Sequence, residues 1–210
     1  MTRFKFSTSA LGLALLGSVF AVPAVAAQKE AIFAGGCFWC IEKDFEHVDG
    51  VVDVFSGYTG GTNANPTYQN HGKYRHREVV KIIYDDTKTS YARLLEIFWR
   101  SVDPTDAGGQ FCDRGHSYTT AVYATDGEQL ALAQAQKDAL NSTNLLGKPV
   151  VTEIAMAQKV TPAEDYHQDY YKKNPVRYKY YRYRCGRDQG VKALWGNEAY
   201  TGVSYMNKGS

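Results

Sequence analysis

The sequence has little of what marks nucleic-acid-binding proteins. Its 24 basic and 22 acidic residues nearly balance, and residues 28–210 alone hold 22 of each. A balanced chain needs no nucleic-acid or anionic-membrane partner, so we expect neither. One cluster, RYKYYRYRCGR (177–187), is basic and aromatic enough to resemble a nucleic-acid patch, but a solvated segment packed by tyrosines is the better interpretation.

Long apolar runs are also scarce. The single one, ALGLALLGSVFAV, lies within the first 27 residues, after Arg3 and Lys5 and before the small residues PAVAA. This order is typical of a cleaved secretory signal peptide, with cleavage after Ala26 or Ala27. The run is short for a membrane span and no stop-transfer pattern follows, so we expect no stable membrane insertion. The sequence therefore predicts export, to the periplasm or outside the cell.

Cysteine is rare, and the leader has none. The four cysteines are Cys37, Cys40, Cys112 and Cys185. An exported chain could use them as two structural disulfides, with three pairings, or as redox groups, and composition alone leaves both open. A structural zinc site usually needs two close pairs of ligands, and Cys37 and Cys40 form the one such pair. We therefore predict no metal site.

The remaining chain shows no internal repeat, low-complexity linker or shift in composition, which indicates one domain. Its patterns predict strands over 30–36, 50–58, 77–85, 117–125 and 149–157. They predict helices over 37–48, 90–102, 126–140 and 162–173, with Ser90 and Asp126 as N-caps of the second and third. Because the loops are long, the alternation favours an α+β fold, a two-layer sandwich with a mixed β-sheet and a ferredoxin-like plait core, over a doubly wound fold.

Cys37 is the first candidate for chemistry. It follows a strand and two glycines and opens a helix, in the stretch GGCFWC (35–40). A helix N-terminus stabilises a thiolate through its dipole and its unpaired N–H groups. Cys40 lies about one turn further on, where this effect is weaker. The pattern indicates one nucleophile with a secondary neighbour.

Glu78 is the second candidate. On the predicted strand 77–85 it shares a face with three apolar residues, Val80, Ile82 and Tyr84. A carboxyl group on a buried face has a raised pKa and can stay protonated near neutrality, as a general acid must. The alternative is an ordinary carboxylate paired with Arg75 or Arg77.

Two further segments hold weaker candidates. Glycines in DAGGQFCDRGHSY (106–118) predict irregular backbone, which could present Asp113 and Tyr118 to a site, although aspartates in loops usually form turns. His167, in AEDYHQDYYKKNP (163–175), is interpreted as structural.

Seven blocks in order complete the pattern. They are GGCFWC, SGYTGG, NPTY, HREVVKIIYD, FWRSVDPTDAGGQFCDRG, AEDYHQDYYKKNP and YRYRCGRD. Together they resemble the peptide methionine sulfoxide reductase A family over residues 28–198. The likeness predicts a catalytic domain over 28–198 and a C-terminal tail over 199–210.

The resemblance implies a role for each matching residue. Cys37 matches the family's nucleophile, and Glu78 matches the donor of a proton to the sulfoxide oxygen. Tyr68 and Tyr118 match the tyrosines that bind this oxygen.

Three further matches concern substrate binding. Phe38 and Trp39 match the aromatic residues that form a pocket for the ε-methyl group of the substrate. Asp113 matches a residue that holds the substrate main chain or a structural water.

The implied activity is reduction of methionine S-sulfoxide, free or in oxidised peptides and proteins. The nucleophile would become a sulfenic acid, then a disulfide that thioredoxin or a thioredoxin-like dithiol protein reduces. No cofactor would be bound, and we expect a monomer. Two other functions stay open: a CxxC thiol–disulfide oxidoreductase that acts on protein disulfides, and a disulfide-stapled binding domain without enzymatic activity.

The recycling cysteines depart from the family's commonest pattern, in which one or two lie in a Gly-rich C-terminal tail. Here Cys185 is the one cysteine in that region. We expect Cys185 to resolve the sulfenic acid first, with Cys40 as the alternative or a relay. Cys112 is interpreted as a packed thiol, with a third relay position as the alternative.

Overall fold

The structure is a computed structural model that describes residues 1–2 and 27–206. Residues 3–26 of the predicted signal peptide and residues 207–210 of the predicted tail lie outside the described residues, so both segments stay predictions. Within the described part of the chain, no helix has the length and apolar character needed to cross a membrane.

Eight strands follow one another along the chain: β1 (Gln28–Ala34), β2 (Val51–Thr59), β3 (Arg77–Asp85), β4 (Gly109–Gln110), β5 (Asp113–Arg114), β6 (Ala121–Ala124), β7 (Glu153–Met156) and β8 (Thr161–Pro162). Six of them form a mixed sheet in the order β7-β6-β1-β3-β2-β8. β6 and β7 pair in parallel, and the other neighbours are antiparallel. β4 and β5 form a separate hairpin.

Six α-helices accompany the strands: α1 (Phe38–Glu46), α2 (Tyr91–Trp99), α3 (Gly127–Thr143), α4 (Tyr170–Lys173), α5 (Pro175–Arg184) and α6 (Arg187–Trp195). Two short 3₁₀ turns lie at His116–Tyr118 and Gly196–Glu198. β1, α1, β2, β3, α2 and β6 form the β-α-β-β-α-β unit of a ferredoxin-like plait. The predicted α+β fold with a mixed sheet is confirmed.

The helices that flank the site follow from the sequence pattern. Phe38, Ile41 and Phe45 recur on one face of α1, and all three are buried in the main core against the sheet. The N-caps of α2 and α3 are also as predicted. The side chain of Ser90 accepts the amide of Arg93, and that of Asp126 accepts the amide of Gln129.

Three predicted elements differ from the structure. The strand over 117–125 is shorter, because a 3₁₀ turn closed by the Thr119 amide on the His116 carbonyl precedes β6. The helix over 162–173 is reduced to α4, and β8 occupies its start. The sequence analysis also missed α5 and α6, because their tyrosine- and arginine-rich sequences lack an apolar stripe of helical period.

Candidate active site

The chain turns sharply just before Cys37. Gly36 has a φ of +89°, and a Cβ built on it would lie 2.7 Å from Cβ of Gln110. Glycine is therefore required here both for its conformation and for the close approach. After this turn Cys37 takes the N-cap position of α1, as the sequence predicted.

Glu78 lies against the first turn of α1. Its Oε2 accepts the Phe38 amide at 3.0 Å, and its side chain is buried. Burial raises the pKa of Glu78 to about 8, with a further contribution from the charge of Asp113, against the lowering effect of the Phe38 amide. The predicted burial and pKa direction are confirmed, and the alternative pairing with an arginine is wrong. Arg77 instead lies 2.8 Å from Glu153.

His71 faces Glu78 from the loop after β2, and the sequence analysis missed it. Its Nε2 lies 3.7 Å from Oε1 of Glu78, and its Nδ1 lies 2.9 Å from the Tyr68 carbonyl oxygen. A carbonyl only accepts, so Nδ1 carries a proton, and in the neutral ring Nε2 offers a lone pair towards Glu78. No spacing in the sequence pointed to this contact.

Cys37 and Cys40 form a buried pair joined by a side-chain hydrogen bond. Burial raises the pKa of Cys37, and the charges of Cys40, Glu78 and Asp113 add to the effect. Burial also acts on Cys40, but the Cys37 thiol and the charges of Arg182 and Arg187 outweigh it and lower the pKa of Cys40 to about 7. The expected thiolate at Cys37 is therefore not the resting state, because desolvation outweighs the helix dipole.

Tyr68 and Tyr118 line a cavity of about 330 Å³ that opens beside Glu78. The Tyr118 hydroxyl lies within hydrogen-bonding reach of the Glu78 carboxyl. The charges of Glu78 and Cys37 act on both tyrosines, after burial, to raise their pKa values. Two larger cavities, of about 480 Å³ each, are lined without Cys37 or Glu78.

Asp113 is half-buried on β5 and accepts the Tyr181 hydroxyl at 2.5 Å. Burial raises the pKa of Asp113, and Tyr181 and Arg187 oppose this. The charge of Asp113 acts on both Cys37 and Glu78. Cys37, Glu78, Tyr118 and Asp113 are therefore brought together from four separate segments.

Aromatic rings form the wall beside Cys37. Trp39 stacks on Tyr170 with ring centroids 3.7 Å apart, and its indole N–H donates to Nδ1 of His167 at 3.0 Å. The ring of His167 packs against Phe38 at 5.1 Å and against Tyr68 at 4.4 Å. The structural interpretation of His167 agrees with this packing, since its ring orients Trp39.

Cys112 and Cys185 form a disulfide, whereas Cys37 and Cys40 are free thiols. The interpretation of Cys112 as a packed thiol is therefore wrong, and so is the alternative of two structural disulfides. Both sulfurs lie beside Asp113, at 3.8 Å for Cys112 Sγ and 3.7 Å for Cys185 Sγ. The disulfide thus adjoins the residues around Cys37.

The β4–β5 hairpin holds Cys112 in place. Phe111 and Cys112 form its two-residue turn, with Phe111 at a φ of 53°, a left-handed conformation that bulky residues rarely adopt. The Phe111 ring lies over the Arg187 guanidinium at 5.1 Å and fills the space beside Gly190. Packing against α6 therefore compensates for the backbone strain.

A sequence model of the family "Peptide methionine sulfoxide reductase" matches residues 29–199. The chain belongs to this family. A family member from Rhizobium meliloti (strain 1021), peptide methionine sulfoxide reductase MsrA 2, is 52% identical over 185 residues, covering 88% of this chain and 92% of that protein. The MsrA of Bacillus pumilus (strain SAFR-032) is 47% identical over 174 residues, covering 82% and 98%.

The solved structures agree with the sequence relatives. Methionine sulfoxide reductase A of Corynebacterium diphtheriae superimposes with a TM-score of 0.68 at 30% sequence identity, over 78% of this chain and 81% of that chain. Reduced Mxr1 from Saccharomyces cerevisiae gives a TM-score of 0.65 at 26% identity, over 75% and 91%.

Two arginines distinguish the surroundings of Cys40 within this reductase-family chain. Arg182 donates to the Cys40 carbonyl at 3.4 Å and pairs with Asp44 at 2.8 Å. Arg187 donates to the Gly35 carbonyl at 3.0 Å, just before the nucleophile. Both come from the basic cluster 177–187, which the sequence analysis interpreted as a surface segment. Their long separation in sequence from Cys40 hid the contact.

Two groups of potential metal ligands occur among the described residues. Cys112, Asp113 and Cys185 form one, but its two sulfurs are bonded to each other. Glu42, Glu46 and Asp169 form the other, and Lys172 already neutralises it at 2.6 Å from Glu46 and 2.7 Å from Asp169. Neither arrangement offers a metal ion a ready set of ligands.

Proposed function

We propose that this protein reduces the S epimer of methionine sulfoxide, free and in oxidised peptides and proteins, to methionine. One observation carries the proposal: a buried carboxyl group that is protonated near neutrality accepts the first amide of the helix that Cys37 opens. A sulfoxide becomes a good electrophile only when its oxygen receives a proton or a strong hydrogen bond. Glu78 supplies that proton where Cys37 attacks.

The sulfur step conserves atoms and charge as follows. Cys37, as thiolate, attacks the sulfoxide sulfur while Glu78 protonates the oxygen, and methionine leaves. The products are a sulfenic acid on Cys37 and an ionised Glu78. The hydrogen bond between the two thiols gives the proton of Cys37 a path to Cys40, whose own pKa is lowered to about 7. The nucleophile is therefore activated within the buried pair.

The other predicted site residues surround this reaction. Tyr68 and Tyr118 bind the sulfoxide oxygen from the cavity beside Glu78, and Phe38 and Trp39 bind the methyl group. Asp113 holds the substrate main chain or a structural water. A CxxC thiol–disulfide oxidoreductase would have no use for a protonated carboxyl group at this point.

The contact between the two free thiols favours Cys40 as the first resolving residue, ahead of Cys185. Cys40, as thiolate, condenses with the sulfenic acid on Cys37 and releases water. The reduced Cys112 and Cys185 then exchange with this disulfide and regenerate both buried thiols. The pairing in the structure corresponds to the state after that exchange.

An external dithiol protein, thioredoxin or a thioredoxin-like protein, closes the cycle, and no bound cofactor takes part. The leader places the enzyme in the periplasm or outside the cell, where it acts as a monomer that repairs oxidised proteins. These proposals rest on the leader sequence and on the family resemblance.

The test uses separated R and S methionine sulfoxide with dithiothreitol as reductant. We expect turnover of the S epimer alone, no activity in Cys37→Ser, and a sulfur step slowed by about 100-fold or more in Glu78→Gln. Equal turnover of both epimers, or full activity in Cys37→Ser, would defeat the proposal.

The order of the cysteines has its own test. One equivalent of sulfoxide is reacted with the reduced protein, and the disulfides are mapped by mass spectrometry after acid quenching. We expect Cys40→Ser to accumulate the sulfenic acid, whereas Cys185→Ser still forms the Cys37–Cys40 disulfide at the wild-type rate. A wild-type rate of disulfide formation in Cys40→Ser would restore Cys185 to first place.

A further inference from the structure

The buried thiols are out of reach of a protein reductant. Cys37 and Cys40 are 5% and 1% exposed, which leaves no sulfur surface for a second protein to attack. Cys112, in contrast, is exposed at the tip of the β4–β5 hairpin, and its partner Cys185 is half-buried at the end of α5. The point of entry for electrons is therefore this disulfide.

A stripe of large apolar side chains runs along α5 towards the disulfide. Val176, Tyr180 and Tyr183 are 83%, 66% and 68% exposed. Their spacing of four and three residues places them on one face of the helix, which ends at Cys185. Contiguous exposed apolar side chains mark interaction sites. We call these three residues the α5 stripe.

The charges around the α5 stripe have one sign. Arg177, Lys179 and Arg184 are exposed beside it, and none of the three makes an ion pair within the described residues. The segment 175–187 contains no acidic residue. Such a surface fits a partner whose contact face is apolar and carries acidic side chains.

One contact indicates which sulfur is attacked. The Cys112 amide donates to Sγ of Cys185 at 3.2 Å. An N–H group aimed at a sulfur stabilises the thiolate that forms when the disulfide opens. Cys185 is therefore the better leaving group, and Cys112 is the more exposed sulfur.

We propose that the α5 stripe is the docking surface for the dithiol protein that supplies electrons, and that this protein attacks Cys112. The donor thiolate bonds to Cys112 Sγ and releases the Cys185 thiolate. The second donor thiol then displaces Cys112, so the donor leaves as a disulfide and both cysteines are reduced. This inference rests on the proposed function, and it adds the donor surface and the attacked sulfur.

The kinetic test compares two reductants with the same enzyme. In the double variant Tyr180→Ser/Tyr183→Ser we expect KM for thioredoxin to rise about tenfold, because exposed aromatic residues are common hot spots of interfaces. Turnover driven by dithiothreitol should stay within about twofold of wild type. The matched control is Phe55→Ser, which removes a 41% exposed aromatic ring from β2 and should change neither value.

The chemical test traps the intermediate. A thioredoxin that lacks its second active-site cysteine is mixed with the oxidised protein, and the mixed disulfide is mapped by mass spectrometry. We expect the adduct on Cys112 and a free thiol on Cys185. An adduct on Cys37 or Cys40, or one on Cys185 with Cys112 free, would refute the assignment of the attacked sulfur.

The two tests also separate this inference from the proposed function. If wild type reduces the sulfoxide with dithiothreitol but the double variant keeps the wild-type KM for thioredoxin, the docking surface is wrong and the function stands. A rise in KM for an oxidised protein substrate, without one for thioredoxin, would assign the stripe to substrate binding instead. No reduction of sulfoxide with dithiothreitol would refute the function, while the trapped adduct would still report on docking.

Discussion

Glu78 shows at the residue scale how this fold prepares a proton. The carboxyl group occupies a site where its only close backbone donor is the Phe38 amide, and burial outweighs that donor. The same burial opposes ionisation during the reaction, so the charge left after proton transfer must be short-lived. His71, 3.7 Å away, is the nearest base that can share it.

The raised pKa of Glu78 predicts a dependence of stability on pH. In the unfolded chain the carboxyl loses its proton near pH 4.5, whereas in the folded protein it keeps it until about pH 8. Stability is therefore lost as pH rises from about 4.5 to 8. Glu78→Gln should unfold at a higher free energy than wild type at pH 7, by on the order of 3 kcal/mol.

Urea unfolding at several pH values measures this difference. The gain from Glu78→Gln should shrink towards zero near pH 4.5, and Asp49→Asn, at an exposed aspartate, should show no such trend. A gain that does not depend on pH would mean that Glu78 is ionised in the folded protein.

The same pKa predicts a limit on catalysis. The sulfur step needs protonated Glu78, so its rate should fall as pH rises through about 8. Single-turnover release of methionine gives this rate free of the recycling steps. In Glu78→Gln the rate should be low throughout and should lack the fall above pH 8. A fall that persists in the glutamine variant would place the titrating group elsewhere.

At the scale of elements, the β4–β5 hairpin depends on one missing side chain. A Cβ built on Gly190 would lie 2.6 Å from Cε1 of Phe111, whose ring sets the turn that contains Cys112. Gly190→Ala should therefore displace Phe111 and destabilise the protein by about 1–3 kcal/mol. The Cys112–Cys185 disulfide should also re-form more slowly after reduction.

Gly127→Ala is the control for this prediction. Its Cβ would meet nothing within 4 Å at the start of α3, so unfolding and disulfide formation should stay close to wild type or gain slightly. Chemical denaturation and a timed thiol titration check both variants. Unchanged disulfide formation in Gly190→Ala would show that Phe111 does not position Cys112.

Elements with a clear period could be predicted from the sequence, and elements held by distant contacts could not. The apolar spacing of Phe38, Ile41 and Phe45 defined α1, and alternation around Glu78 defined the buried face of β3. The helix α5 has no such pattern, since tyrosine and arginine occupy nearly all its positions. Its placement depends on Arg182, which reaches across to Asp44 in α1.

The site divides in the same way. Cys37 and Glu78 were identified because a helix start and a strand face announce their environments. The Cys112–Cys185 disulfide joins residues 73 positions apart, and no local spacing encodes such a pair. His71 and Arg187 were missed for the same reason, because their roles arise only from neighbours in the folded chain.

The Cys112–Cys185 disulfide acts at the scale of the whole molecule. It ties the β4–β5 hairpin, which follows α2, to the end of α5 and so closes a loop of 73 residues. Closing a loop of this length in the unfolded chain stabilises the native state by about 4 kcal/mol in the chain-entropy account. Reduction should therefore lower the free energy of unfolding by up to about that amount.

Urea unfolding with and without tris(2-carboxyethyl)phosphine measures the effect. Cys112→Ser should unfold like the reduced wild type and should no longer respond to the reductant, whereas Cys37→Ser should respond as wild type does. Equal stability of oxidised and reduced wild type would show that the unfolded chain gains nothing from opening this loop.

This loop closure also sets the electrical cost of recycling. Whatever free energy the disulfide adds to the native state must be supplied again by the donor each time the bond is reduced. For a two-electron couple, about 1.4 kcal/mol corresponds to about 30 mV, so a contribution of about 4 kcal/mol lowers the reduction potential by on the order of 90 mV. The length of chain between Cys112 and Cys185 thus limits which dithiol proteins can drive the cycle.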